Sequence, residues 1–309
     1  MQTLKIFALM TGLTLLLVGI GSYFGGTNGA VVMFLISAAM NFGSYWFSDK
    51  VVLKMYRAQI IDRASAPELY GMVERLAQRG NLPMPVVAVA PSEQPNAFAT
   101  GRSPEKGVVC FTQGILRLMP VGSPELEGVT AHELAHIKHR HMLVGAIAAT
   151  MAGVIMMVSR FAMFMGGGRD RENANPIAMI AMMILAPIAA MMVQMMISRQ
   201  NEFQADRTGA EIAGRPDGLA NALRSMDAYA RRIPMDVNPA AAALAIVNPL
   251  SGRRGMGLMS LFSTHPATEE RIARLEALAR RGEPDGARAA DHSRGPGAQP
   301  PERRPGAPP

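Results

Sequence analysis

Residues 6 to 48 contain no charged side chain, and that run constrains the fold more than any other feature of the chain. A soluble helix of this length would need ionic residues on its wet face, whereas an apolar run well beyond about 20 residues suits a bilayer. Gly25-Gly26-Thr27-Asn28-Gly29 interrupts the run with turn residues. The pattern therefore predicts two membrane helices, residues 6–24 and 30–48, joined as a tight hairpin over the segment 1–48. A cleaved signal peptide is the bland alternative, because Lys5 precedes an apolar stretch. A second uncharged span follows at once, which favours a retained hairpin.

Two later blocks, residues 142–165 and 177–198, are apolar around their whole circumference apart from Arg160. They are read as a second pair of spans; Pro187 inside the last is tolerable in a membrane helix. Their many methionines are flexible apolar filler. Orientation follows from the basic residues at the span ends. Lys5, Lys50, Lys54, Arg57, Lys138, Arg140, Arg199 and Arg207 fall on one side, against Arg169 and Arg171, offset by Asp170 and Glu172, on the other. Both termini and the segments 49–141 and 199–282 are thus expected on the cytoplasmic side of a bacterial-type inner membrane, with the lipid bilayer as partner.

Composition agrees with spans that have basic flanks. The chain is 49% hydrophobic yet carries 31 Lys and Arg against 24 Asp and Glu, for a net charge of +7. No Lys/Arg stripe interleaved with aromatics accompanies that charge, so nucleic acid is not the expected partner. Cys110 is the sole cysteine, which rules out an internal disulfide. In segment 49–141, Ser65-Ala66-Pro67-Glu68 predicts a capping box opening a helix that ends near Gly80. Short strands are expected at 86–90, 96–100 and 108–112, between Gly and Pro punctuation. Ser123-Pro124 predicts the start of a helix running through His141, and 217–232 and 267–281 read as amphipathic helices. Residues 283–309 are rich in Gly, Pro, Ala and Arg and read as a disordered tail, with His292 inert in it.

The helix from Ser123 carries His132-Glu133-Leu134-Ala135-His136. Histidines four apart share a helix face and can reach one metal ion, and Glu133 beside the first can take a proton from a metal-activated water. Two chance histidines on a surface helix would be the structural alternative. A third protein ligand is needed if one position is to stay open. The longer metzincin pattern is excluded, since Met142 and His139 occupy the places of its histidine and glycine. His139 shares the ligand face, but three histidines on one helix suit tetrahedral zinc poorly, so it reads as a polar residue at the mouth of the site. Topology offers a better ligand. The return span ends near Ser198, level with His136, and Glu202 follows one turn later. His132, His136 and Glu202 would then hold one Zn2+ per chain, with Asp206 one turn on accepting a ring N–H of a ligand histidine. A solvated acidic face paired with Arg207 is the alternative for Glu202 and Asp206.

At these residues the chain resembles the HtpX family of membrane zinc metalloproteases, relatives of the CaaX-prenyl endopeptidases. The resemblance covers residues 1 to 281 in four blocks: Pro95 to Gly101, His132 to His136, Ser198 to Gly209, and His265 to Arg271. It implies His132, His136 and Glu202 as zinc ligands, Glu133 as base and proton shuttle, and Asp206 behind His132. It further implies that Asn96, Ala97 and Phe98 open an edge strand onto which extended substrate adds. His265 would stabilise the oxyanion and Arg271 would contact substrate. By themselves, His265 reads as an N-cap beside Pro266 and Arg271 as a surface charge. The chain departs from the resemblance at His141, where an acidic residue would be expected.

The expected fold is a mainly α membrane protein: four transmembrane helices and a zincin-like, mostly helical cytoplasmic catalytic domain carrying a small β-sheet. The expected activity is zinc-dependent endoproteolysis of peptide or membrane-protein substrates, in membrane-protein quality control. Two rivals stand beside it, a prenyl-protein processing peptidase and a catalytically silent, zinc-stabilised membrane scaffold. The sequence leaves oligomerisation open.

Overall fold

The computed structural model describes residues 2–145, 147, 197–232 and 266–282. Helix α1 (Gln2–Met55) is two helical arms meeting at Gly26, whose φ of 57° and ψ of −145° break the helix. Only a residue without Cβ adopts that backbone freely. The arms fold back on each other. Thr14 Oγ1 lies 2.8 Å from Ser37 Oγ, Asn41 Nδ2 donates to Thr14 Oγ1 at 3.2 Å, and Leu13 and Leu17 pack with Met33 and Met40. Small polar side chains bonded across two apolar arms are how helices adhere where solvent offers no hydrophobic drive. Ile6–Tyr23 and Gly25–Phe47 are each long and apolar enough to cross a membrane. The second pair of predicted spans lies almost wholly outside the described residues.

The second arm runs past the predicted end at residue 48 to Met55. Its continuation packs Val52, Leu53 and Tyr56 onto Phe98, Val108 and Cys110. A mixed sheet of order β1-β2-β4-β3 follows, from β1 (Gln59–Ile61), β2 (Val86–Ala90), β3 (Ala97–Thr100) and β4 (Val108–Thr112). β2 and β4 are parallel, while β1 and β3 pair antiparallel on the outside. The three predicted strands are present. β1 was missed because three residues show no readable alternation.

Helix α2 (Pro67–Arg79) forms as expected, but the capping box does not. Ser65 is spent on Asp62, its hydroxyl meeting that carboxylate at 2.7 Å, and the N-cap position is Ala66. Helix α3 (Gln113–Leu118) is capped by Thr112, and α4 (Pro124–Lys138) by Ser123, whose Oγ accepts from Leu126 N at 3.2 Å. α4 stops at Lys138, short of His141, because Arg140 takes a left-handed φ of 55°. Helix resumes at 141–145. α5 (residues 197–213), α6 (Asp217–Arg232) and α7 (Thr268–Gly282) complete the described chain.

α4 is the centre of the molecule. Leu126 and Gly128 to Ile137 are all buried, so no wet face remains. The main core joins Leu69, Met72 and Leu76 of α2, Val109 and Phe111 of β4, Leu126 and Leu134 of α4, and Leu219 and Leu223 of α6. A helix enclosed on every side can carry buried polar groups only if its neighbours supply their partners.

Candidate metal centre and catalytic site

Three of α4's buried residues are His132, Glu133 and His136. Their helical spacing turns both imidazoles to one side, where α5 packs and presents Glu202. The Nε2 atoms of the two histidines are 3.0 Å apart, and the Glu202 carboxylate lies 3.5 Å from each. Ligand atoms on a tetrahedral zinc with bonds of about 2.0–2.1 Å are separated by roughly 3.3 Å, so these donors fit that ion. The buried acids Glu133, Glu202 and Asp206 share the site with one buried guanidinium, Arg271.

A carboxylate stands behind His132. Asp206 Oδ1 sits 3.0 Å from His132 Nδ1. Asp206 is in turn gripped by a two-pronged fork, with Arg271 Nε donating to Oδ2 at 2.9 Å and Nη2 to Oδ1 at 2.7 Å. Arg271 Nη1 also lies 3.2 Å from Glu202 Oε2. α7 delivers this arginine by packing on its neighbours. Arg274 stacks 3.7 Å above the Phe203 ring, and Arg231 of α6 meets Glu269 at 3.1 Å. The reading of Arg271 as a surface charge is therefore corrected. The residue is only 1% exposed and meets Asp206, Glu202 and, at 3.4 Å from its Nη2, His132 Nε2.

The electrostatics follow from burial and these partners. Burial opposes charge on His132, but Asp206 and Glu202 outweigh it and raise its pKa to about 9. Burial pushes Glu133 up to about 7 against the pull of His132, and the backbone N–H of Ala99 donates to its carboxylate. Arg271 and His132 hold Asp206 below the usual carboxylate range despite its burial. Burial keeps His136 well below its ordinary value and lowers His141 to about 4. Cys110, pushed up to about 12 by burial, is a packed apolar residue of the sheet.

Among the described residues β3 is a sheet edge, and the Ala99 contact turns that edge toward Glu133. Ala97 and Ala99 face the core shared with α4. Phe98 points the other way, with its ring centroid 4.5 Å from that of Tyr56, so it can offer an extended peptide only its backbone. Asn96 is buried just before the strand and bonded to the Tyr56 side chain. His139 bonds Thr208 and Gln204 at 3.0 and 3.2 Å. His265 lies outside the described residues. Sequence reasoning missed Gln204 and the place of His141; only the left-handed Arg140 makes that place, and no local pattern announces it.

A His-Glu-x-x-His helix completed by a glutamate from a second helix defines a metal-dependent peptidase. The chain belongs to Peptidase family M48, whose pattern matches residues 63–279. It is 56% identical over 280 residues to the Protease HtpX homolog of Gemmatimonas aurantiaca, covering 90% of this chain and 100% of that one. The Protease HtpX homolog of Methylibium petroleiphilum is 53% identical over 279 residues, covering 89% and 97%. That of Burkholderia mallei is 54% identical over 283 residues, covering 90% and 97%. The crystal structure of S. mikatae Ste24p aligns with 89% of this chain and 64% of its own, at 19% identity and a TM-score of 0.49. The chain is thus a metalloprotease, mostly helical with a small mixed sheet.

Proposed function

We infer that this protein is a membrane-bound, zinc-dependent endopeptidase that holds one zinc ion per chain between His132, His136 and Glu202. The observation that carries the reading is the convergence of those three donors within 4.8 Å of one another, with Glu133 buried beside them. Zinc bound there would acidify a water to near neutral pH, supplying the nucleophile for peptide hydrolysis. Glu133 receives the proton at its carboxylate and passes it to the leaving amine; its raised pKa suits a group that both takes and gives a proton near neutrality. Asp206 fixes the orientation of His132, and Arg271 holds Asp206 in place. The backbone from Asn96 to Phe98 aligns an extended substrate, and His265 donates to the oxyanion.

Substrates are peptide segments of membrane proteins close to the bilayer, as in quality control. The basic residues at the span ends favour four spans, with both termini and the catalytic segments on the cytoplasmic side of the inner membrane. A silent scaffold is disfavoured, because a purely structural zinc site has no use for a buried carboxylate at Glu133. Metal analysis of detergent-purified protein, paired with casein cleavage with and without chelator, tests the reading. Stoichiometric zinc and chelator-sensitive cleavage are expected; cleavage indifferent to metal removal would overturn it.

A further inference from the structure

The two ligand histidines are held from behind in different ways. His132 has a carboxylate at its outer nitrogen, whereas His136 Nδ1 lies 3.1 Å from Nδ1 of another imidazole, His141. Residues five apart on a continuous helix point about 140° away from each other and could not meet. The left-handed φ of 55° at Arg140 breaks α4 and turns His141 back onto His136, bringing the ring centroids to 5.1 Å. A non-glycine residue in that conformation is strained, and such strain often marks a position with a task.

The contacts continue outward. His141 Nε2 lies 3.2 Å from Gln204 Oε1, Gln204 Nε2 lies 3.2 Å from His139 Nδ1, and His139 Nε2 lies 3.0 Å from Thr208 Oγ1. Gln204 and Thr208 are one turn apart on α5, the helix that also carries Glu202 and Asp206. Only one assignment of protons satisfies the chain once His136 uses Nε2 for a metal. His136 Nδ1–H donates to His141 Nδ1, His141 Nε2–H to Gln204 Oε1, Gln204 Nε2–H to His139 Nδ1, and His139 Nε2–H to Thr208. Each ring gives one proton and accepts one, the inventory of a neutral imidazole.

We propose that His141 is a positioning residue for the metal ligand His136, and that Gln204, backed by His139 and Thr208, fixes the tautomer in which His141 can accept. The proposal rests on the zinc reading above. It assigns a neutral imidazole the task that a carboxylate performs for His132, so a carboxylate at position 141 should substitute for it.

The test is zinc affinity of the full-length, detergent-purified protein, measured by chelator competition for the wild type, His141→Ala, His141→Asp and Gln204→Leu. His141→Ala is expected to weaken zinc binding by roughly 10- to 100-fold, as loss of an outer hydrogen-bond partner does. His141→Asp should recover most of that loss, and Gln204→Leu should fall between. Wild-type protein that binds zinc, with His141→Ala binding it equally tightly, overturns the proposal alone; wild type without zinc overturns the metal reading as well. His141→Asp no better than His141→Ala would reduce His141 to a packing residue. Nitrogen-15 spectra of histidine-labelled, zinc-loaded wild type give a readout that does not depend on any variant folding. His141 and His139 should carry their protons on Nε2 and His136 on Nδ1, and a proton on His141 Nδ1 at neutral pH refutes the chain.

Discussion

Gly209 lies where α5 crosses α4. A Cβ added there would stand 2.9 Å from both Cα and N of His132, and those atoms are backbone, with no rotamer to give way. Ordinary contact begins at 3.4 Å, so Gly209→Ala must part the helices by about 0.5 Å or strain both. Overpacking of this kind typically costs about 1–3 kcal/mol. Glu202 sits two turns before Gly209 on the same helix, about 10.5 Å away, and moves with it. Metal ligands tolerate displacements of only about 0.2 Å, so the strain reappears as lost zinc affinity. Transmitted in full, 1–3 kcal/mol is roughly 5- to 150-fold in the dissociation constant. Chelator competition reads that change and a thermal melt reads the strain retained in the fold. Gly71→Ala, in the interior of α2 with nothing within 4 Å of the added carbon, is the control; it should be neutral or stabilising by up to about 1 kcal/mol. Gly209→Ala with wild-type zinc affinity and an unshifted melt would refute the close-approach argument.

Glu133→Gln should retain zinc and abolish cleavage; equal zinc with undiminished cleavage removes Glu133 from the mechanism. The same variant carries a pH prediction. A carboxyl raised from 4.5 to about 7 keeps a proton in the fold that the unfolded chain has lost, so stability falls as pH rises through that window. Chelator-treated Glu133→Gln should therefore melt progressively above wild type from pH 5 to 8, by up to about 3 kcal/mol; a gap constant across that range contradicts the burial of Glu133. Glu202→Ala should lose more zinc than Asp206→Ala, for which a roughly 10- to 100-fold weakening is expected; the reverse order in metal analysis would exchange their roles. Arg271→Met leaves Asp206 and Glu202 buried without their cation and should cost about 3–5 kcal/mol in a denaturant melt, so a loss near zero would place Arg271 in solvent. His265→Ala should lower kcat by roughly 10²- to 10³-fold with KM and zinc content unchanged; a lowered melt with intact kcat would make it a helix cap only.

How much could be read in advance depends on the reach of each signal. The His132–His136 pair is set by helix geometry within four residues, so its shared face is fixed before any packing occurs. The uncharged run with its glycine-rich break specifies a hairpin by itself, since composition decides which solvent an element meets and Gly26 decides where it turns. Strands of four or five residues between Gly and Pro were legible for the same local reason, while the three residues of β1 carried too little pattern. The partners of the buried charges were not legible. Arg271 looks like any surface arginine until α7 carries it across 65 residues to Asp206 and 139 residues to His132. The end of α4 was misplaced because Arg140 has no helix-breaking chemistry of its own. Its left-handed turn is imposed by the packing that seats His141 behind His136 and Gln204 behind both. Sequence determined which groups could meet a metal, through short-range periodicity. Tertiary structure decided what stands behind each of them, because a buried polar group takes its partner from whichever distant helix packing brings within about 3 Å.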